Sequence, residues 1–485
     1  MNEYIVHIGA EAVPFSKVGG LGDIIGCLPT KINENYKSNN IVFTPHYSNI
    51  SKKLYFEGSF SILFNSINYE YGVYSSRFKD VTYYFIEFDP AFKMDNCYVD
   101  GSKPYLIDVG LEYFFFGKCC VDYLKNKNIN NYKVITHDWH ASGIYAYIPD
   151  AIKSIHIIHN YQHQGQLYPD IIHFLEPEVK QIANKIVSDT GILTMNSFAI
   201  YKATKIVTVS PNYAKELIDG TVAHPSLDLF HIYNKSVIGI LNGVDYDKWN
   251  PSRRDIKEIY PYTINDLEIK KDNKKFIKSV LKLETSDSRP LLLILSRLTH
   301  QKGLDLFVNM GNRKRFSPKE RLEKIISAGY DLVICGVPAG GYRGEVERCL
   351  NELKDQFTVN FRYINNYSDE LAHKLLCASD VLMHVSNYEP CGLTPMYAMK
   401  YGVVPLVSNK GGLDNIVNDN KKDKLLKNGF KVNRVDFETI LKKLTEIIGV
   451  YIEKNEWERI VYNCMKMDFS WDKSVNQYIK LIKEL

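Results

Sequence analysis

The chain has 485 residues, of which 45% are hydrophobic and 24% charged, and its formal net charge is +4. The length exceeds what one core fills and suits two domains of ordinary α/β size. So small a charge, without a long Lys/Arg patch interleaved with aromatics, argues against nucleic acid as the main partner.

Further classes fall away as the chain is read. No segment approaches the roughly 20 apolar residues of a membrane helix. Glu3 and His7 interrupt the first apolar run, so no signal peptide is expected. Nine scattered cysteines with no Cys-x-x-Cys spacing point to a reduced, cytoplasmic setting, or to a plastid if a transit peptide has been removed.

In chain order, the first expected strand, residues 4–8, leads to the loop Lys17-Val18-Gly19-Gly20-Leu21-Gly22-Asp23 and a helix. Gly19 and Gly20 are able to take positive φ and lack a Cβ, so main-chain amides there suit a phosphate, with Lys17 and the helix dipole adding positive charge. The same pattern also serves as a plain βα connection. Apolar runs at 133–136, 154–158 and 205–209 continue a β-then-α alternation. The first two are followed by His137-Asp138-Trp139-His140-Ala141 and His159-Asn160. With His156 and His163 these histidines read as packing or hydrogen-bonding groups, since no His-Glu-x-x-His helix accompanies them. Asp138 and Asn242 each come just after a strand, where both residue types also satisfy loose backbone groups.

The composition changes at Asn250-Pro251-Ser252-Arg253-Arg254, read as a linker, and the lysine-rich residues 270–275 read as solvated surface. The alternation resumes with runs at 291–295, 331–335, 380–384 and 403–407. The first of these delivers Arg297 and Lys302 into the loop 296–305, before a helical start at Leu306-Phe307-Val308. Two cations at the C-terminal end of a buried parallel strand suit a diphosphate, although solvated surface charge is the alternative. The run 380–384 is followed by Asn387-Tyr388-Glu389-Pro390-Cys391-Gly392-Leu393-Thr394-Pro395, continuing to Gly402.

Taken in order, these motifs make the whole chain resemble the bacterial glycogen synthase and plant starch synthase family, together with Gln164-Gly165, Thr208-Val209-Ser210-Pro211 and Leu241-Asn242-Gly243-Val244-Asp245 to Trp249-Asn250-Pro251. The resemblance implies a retaining glycosyltransferase of GT-B architecture, an α/β fold of two Rossmann-like doubly wound domains facing a central cleft. The domains would span 1–250 and 251–465, with a helix over 466–485 crossing back to the first. The implied reaction moves glucose from ADP-glucose, or UDP-glucose, to the non-reducing end of an α-1,4-glucan. No metal and no other cofactor is expected, and the oligomeric state is left open. Asp245-Tyr246-Asp247 mimics the metal-binding Asp-x-Asp of a different glycosyltransferase architecture, but its place in a turn argues against that role.

The same resemblance assigns residues. Arg297 and Lys302 would grip the diphosphate, with amides from Gly19 and Gly20. Cys391, Gly392, Leu393 and Thr394 would bind the distal phosphate, and Lys17 would help close the site. Glu389 would accept hydrogen bonds from glucose hydroxyls, Asn242 and Asp138 would stand near the donor glucose or the acceptor, and His159 would lie close to the anomeric carbon. Tyr367 would sit near the base. Tyr397 stands where many GT-B enzymes carry a second glutamate, as is usual in this family. Departures are Asn387 for an arginine, Pro395 for a glutamine, Asn366-Tyr367-Ser368-Asp369-Glu370 for Gly-Tyr-Asp-Glu, and 223–228 for the family's Gly-Leu-Asp-Gly-type acceptor loop. The last motivates an alternative, a same-fold enzyme glucosylating a surface saccharide, lipid or protein; a non-catalytic glucan-binding scaffold is the third reading.

Overall fold

Strands covered on both faces have no polar face to show, so the apolar runs of the sequence become parallel strands. The computed structural model of the chain describes residues 3–50, 52–88, 109–222, 228–303, 306, 315–341, 343–420 and 424–485. Its strands form two sheets, one in each of two compact units: Met1–Gly243 with Ser470–Leu485, and Val244–Phe469. The chain thus changes unit at 243/244 and 469/470, where the motifs put divisions at 250 and 465.

Among the described residues the first unit carries β1 (Tyr4–Ile8), β2 (Asn39–Pro45), β3 (Tyr55–Phe64), β4 (Ile67–Phe78), β5 (Val81–Glu87), β6 (Tyr132–His137), β7 (Ser154–Ile158), β8 (Lys205–Thr208) and β9 (Val237–Gly239). Their order across the sheet is β3-β4-β5-β2-β1-β6-β7-β8-β9. All pairs are parallel except β3–β4 and β4–β5, an antiparallel flap at one edge. The strand order reverses direction between β1 and β6, so the loops leaving those two strands open a crevice at their C-terminal ends, where ligands of open α/β sheets bind. Phe114, Phe115, Phe116 and Tyr123 on the helix Val109–Asn126 fill the core behind the sheet, each contributing roughly 1.5–3 kcal/mol by burial.

The last helix, Trp471–Lys483, completes this unit. Trp471, Val475, Tyr478, Ile479 and Ile482 fall on one face and are buried, the stripe expected at helical period. Lys133 Nζ donates to the Ile482 carbonyl at 2.7 Å, Ser474 Oγ to the Leu241 carbonyl at 2.6 Å, and Lys31 pairs with Asp472 at 3.3 Å.

The second unit carries β10 (Leu291–Leu295), β11 (Asp331–Cys335), β12 (Phe361–Ile364), β13 (Val381–His384), β14 (Val404–Ser408) and β15 (Phe430–Val432), all parallel, in the order β12-β11-β10-β13-β14-β15. Its reversal lies between β10 and β13. The lysine-rich stretch corrects the sequence reading. It lies in the helix Leu267–Val280, where Lys271 and Lys275 are exposed as expected, but Lys270 and Lys274, with Lys278 just beyond the stretch, spaced by four, are buried rather than solvated. Each ammonium has acceptors: the Leu376 and Cys377 carbonyls for Lys270, the partly buried Asp380 for Lys274 at 2.6 Å, and the buried Asp331 for Lys278 at 2.9 Å. Burial without such partners would be prohibitive. Phe307 and Val308 of the expected helical start, and 223–227 of the altered acceptor loop, lie outside the described residues.

Candidate active site

Each reversal gathers several of the residues that the motifs singled out, whereas Asn242 and Tyr367 follow the edge strands β9 and β12. In the second unit the loop after β10 and the loop after β13 are stitched together. Asn387 donates its amide N–H to the Gln301 carbonyl and its Nδ2 to the His300 carbonyl, both at 2.8 Å, and Gln301 Nε2 reaches the Tyr388 carbonyl at 3.3 Å. Gly303 permits the approach. Its φ is +73° and a Cβ there would stand 2.5 Å from the Val385 carbonyl oxygen.

The stitching brings Lys302 onto Glu389, whose Oε2 accepts from the Lys302 ammonium, from His384 Nε2 at 3.0 Å and from Ser386 Oγ at 2.9 Å. Burial alone would raise the Glu389 pKa, but Lys302 and His384 outweigh it and hold the carboxyl far below the usual range. All three bonds fall on Oε2, so among the described residues Oε1 is left for another donor. Arg297 is exposed on the same loop, and no described carboxylate pairs with it. Gly392, with φ +98° and buried against Leu413, opens the helix Leu393–Lys400 without a side-chain cap. The first-turn amides of Leu393 and Thr394 therefore form an anion-favouring end. Cys391, just before it, is buried. Tyr367 stands 45% exposed in the loop after β12, its hydroxyl donating to Asp369 at 3.1 Å. Tyr397 stacks on Trp249 with centroids 4.1 Å apart and planes 5° apart, a packing role.

In the first unit the glycine loop is arranged differently from the sequence expectation. Gly19 is extended at φ −136° and Gly20 is not among the glycines with positive φ. The loop instead wraps a carboxylate of the chain itself. Glu11, 1% exposed, accepts the backbone N–H groups of Val18, Gly19 (3.2 Å) and Gly22 (3.1 Å). Small residues are needed because a Cβ on Gly22 would lie 3.1 Å from the Ser16 carbonyl oxygen and 3.5 Å from the Glu11 carboxyl carbon. Burial raises the Glu11 pKa against the pull of these three amides. Gly19 therefore points its amide inward rather than at a ligand, whereas Gly20 is exposed at the start of the helix Gly20–Asn35. Lys17 pairs with Asp23 at 2.8 Å.

Asp138 follows β6 at φ +57°, ψ −178°, a region that side chains rarely occupy and that is costly unless the surroundings enforce it. What enforces it is a bridge to the next strand. Its Oδ1 accepts the amides of His159 (2.7 Å) and Asn160 (3.3 Å). Burial pushes its carboxyl up to about 7, only partly offset by those two amides. His159 Nε2 lies 3.0 Å from His137 Nδ1, and burial lowers the His159 pKa to about 3. Asn242 is buried with its Oδ1 unpartnered among the described residues. Asp245 Oδ1 accepts the Asp247 amide at 3.0 Å, closing a turn, and among the described residues no three His, Cys, Asp or Glu side chains are grouped to hold a metal ion.

Motif reading missed Glu11, His7 and Asn40. Their signal was present as polar residues beside or within otherwise apolar strands, but their partners lie elsewhere in the chain and no local spacing exposes them.

Comparison with known proteins agrees over the full length. The family model described as starch synthase catalytic domain matches residues 4–230, and that described as glycosyl transferases group 1 matches residues 275–463. A glycogen synthase of Clostridium botulinum (strain Alaska E43 / Type E3) is 29% identical over 497 residues, covering 99% of both chains. One from Thermotoga maritima is 28% identical over 502 residues, covering 99% of this chain and 98% of its own. The catalytic domain of starch synthase IV from Arabidopsis thaliana, solved bound to ADP and acarbose, superposes with a TM-score of 0.88 at 25% identity, covering 100% of this chain and 99% of the other.

Proposed function

We propose how this chain, which belongs to the glycogen synthase and starch synthase family of glycosyltransferases and serves glucosyl transfer in glucan synthesis, performs that reaction. Its donor is ADP-glucose, and its acceptor is the non-reducing end of an α-1,4-glucan. The observation that carries the reading is the stitched pair of loops in the second unit, which sets Arg297, Lys302, Glu389 and an uncapped helix start at one sheet reversal.

Breaking the glucosyl–phosphate bond leaves negative charge on the departing nucleoside diphosphate. Arg297, Lys302 and the amides of Leu393 and Thr394 stabilise that charge, so no metal or other cofactor is required for it. Lys302 has three N–H donors and is able to hold Glu389 and a phosphate oxygen together. Glu389 Oε1 then accepts from a glucose hydroxyl. Tyr367 stacks on the base. The ADP in the Arabidopsis structure supports an adenine nucleotide over a uridine one.

In the first unit His159, Asp138 and Asn242 serve the sugar and its acceptor. Asp138 acts as a positioner, because both amides on its Oδ1 belong to the His159 turn. Lys17, Gly20 and the Glu11-anchored loop serve the donor's charged end. A cytoplasmic setting is supported by the eight described cysteines, all free.

The test is nucleotide release from ADP-glucose and UDP-glucose, each with and without maltoheptaose or glycogen. Glucan-dependent ADP release is expected. Release indifferent to glucan would move the acceptor to another saccharide, lipid or protein, and preference for UDP-glucose would overturn the donor.

A further inference from the structure

Three histidines lie side by side across the first unit's sheet reversal, and they are hydrogen-bonded in series. His7 on β1 stacks on His137 at the end of β6 with centroids 5.7 Å apart, and His137 stacks on His159 after β7 at 5.3 Å. The ring nitrogens meet at 3.4 Å (His7 Nδ1 to His137 Nε2) and 3.0 Å (His137 Nδ1 to His159 Nε2). Such a series has two possible directions, and only one agrees with the groups at its far end.

Main-chain groups set that direction. Asn33 Nδ2 donates to the Asp80 carbonyl and Asn33 Oδ1 accepts the Asn40 amide, both at 3.2 Å. Asn33 is thus oriented by one backbone acceptor and one backbone donor. Asn40 must then turn its Nδ2 towards Asn33 Oδ1, at 2.6 Å, and its Oδ1 towards His7 Nε2, at 2.8 Å. An amide oxygen only accepts, so His7 carries its proton on Nε2. A neutral imidazole has a single N–H, so His7 Nδ1 accepts, His137 Nε2 donates, His137 Nδ1 accepts and His159 Nε2 donates. Neutrality follows from burial, which lowers the pKa of His7 to about 4, of His159 to about 3 and of His137 well below the ordinary value. The series ends at His159 Nδ1, which is buried and has no partner among the described residues.

We infer that Asn33, Asn40, His7 and His137 are positioning residues for the transfer reaction, forming a polarised hydrogen-bond chain that fixes His159 as its Nε2–H tautomer and offers Nδ1 as an acceptor to a sugar hydroxyl. The consequence for catalysis rests on the reading that His159 faces the transferred sugar. A hydroxyl that donates to nitrogen gains electron density on its oxygen, which favours a neighbouring centre that is becoming cationic. The opposite tautomer would draw density away and aim an N–H dipole at that centre. The tautomer itself does not depend on that reading.

The deciding experiment is long-range 15N–1H NMR of the full chain labelled at histidine, with signals assigned by single substitutions. At neutral pH His7, His137 and His159 should all be uncharged and protonated on Nε2. A His159 proton on Nδ1, or a mixture of tautomers, overturns the chain. Two variants at the remote end then test its purpose. His7→Gln keeps the direction, since its amide N–H donates to Asn40 and its carbonyl accepts from His137, and should hold both the His159 tautomer and the rate near wild type. His7→Leu cuts the chain and should leave His159 a mixture, with kcat down about five- to tenfold, the worth of one hydrogen bond, and the donor KM little changed. A rate loss in His7→Leu with the His159 tautomer intact would reduce His7 to a structural part and overturn the inference. Should His7→Leu not fold, the wild-type spectrum and His7→Gln still decide it. Because the spectrum needs no substrate, its result stands apart from whether glucan-dependent ADP release is found.

Discussion

Arg297 and Lys302 lie on one loop but differ in what they touch, and that difference separates catalysis from folding. Arg297 is exposed and meets no described carboxylate. Arg297→Ala should therefore leave stability within about 0.5 kcal/mol, as surface changes do, while turnover falls by about 10²–10³, the scale for losing a preorganised charge-stabilising group. Paired thermal unfolding and nucleotide-release assays check this, and wild-type turnover would remove Arg297 from the diphosphate site. Asp138 offers a pH test. Its carboxyl is raised by burial from 3.8 to about 7 in the folded chain. Between those values the folded state holds a proton that the unfolded state has lost, so stability falls as pH rises through the window. Asp138→Asn keeps an acceptor for the His159 and Asn160 amides and removes the titration. At about 1.4 kcal/mol per unit, the variant should gain up to about 4 kcal/mol relative to wild type between pH 4 and 7, read from urea midpoints. Parallel curves for the two proteins would show that Asp138 titrates normally.

Elements differ in how plainly they were written in the sequence. β7, β10 and β11 coincide with their apolar runs, since a strand buried on both faces is mostly apolar, the buried Ser154, His156 and Asp331 being the polar exceptions. The flap β3–β5 was not foreseen, because half-exposed antiparallel strands alternate polar and apolar residues, and β3 shows only two buried positions in ten. The helix Leu267–Val280 misled through composition, since nothing local announces acceptors contributed by Asp380 and Asp331. Of the candidate site, Asp138, His159, Arg297 and Glu389 were visible through short motifs, whereas Glu11 and His7 make their contacts through amides and rings that long-range folding supplies. The glycine loop makes this testable. Glu11→Gln removes the charge that gathers the Val18, Gly19 and Gly22 amides while keeping side-chain shape. Hydrogen exchange at those amides should speed up by about tenfold or more, since a charge-assisted bond is worth about 1.5–3 kcal/mol, with β6 and β7 unchanged. Unaltered protection at Gly19 and Gly22 would show that the loop holds itself.

At the scale of the whole molecule, the two units differ in chain continuity, and this decides which survives alone. The second unit is one uninterrupted segment, Val244–Phe469, and its two ends are joined by a hydrogen bond from the Val244 amide to the Phe469 carbonyl at 2.7 Å. Segments with adjacent ends fold independently and tolerate being inserted in another domain. The first unit needs Ser470–Leu485, which the second separates from it in sequence. Trp471 is 3% exposed and lies so close to Gly243 that a Cβ there would approach the Trp471 Cα to 2.5 Å. Losing even that one side chain should cost about 3–5 kcal/mol, and losing the helix removes Val475, Tyr478 and Ile482 as well. Residues 244–469 expressed alone should therefore unfold cooperatively and bind ADP in calorimetry, with binding abolished by Arg297→Ala. Residues 1–243 alone should lack a cooperative transition and regain it when 470–485 is joined to residue 243 through a flexible linker. A stable 1–243 fragment would show that the terminal helix is an accessory. A folded 244–469 fragment blind to ADP would place donor recognition beyond Arg297, Lys302 and the Leu393–Lys400 helix start.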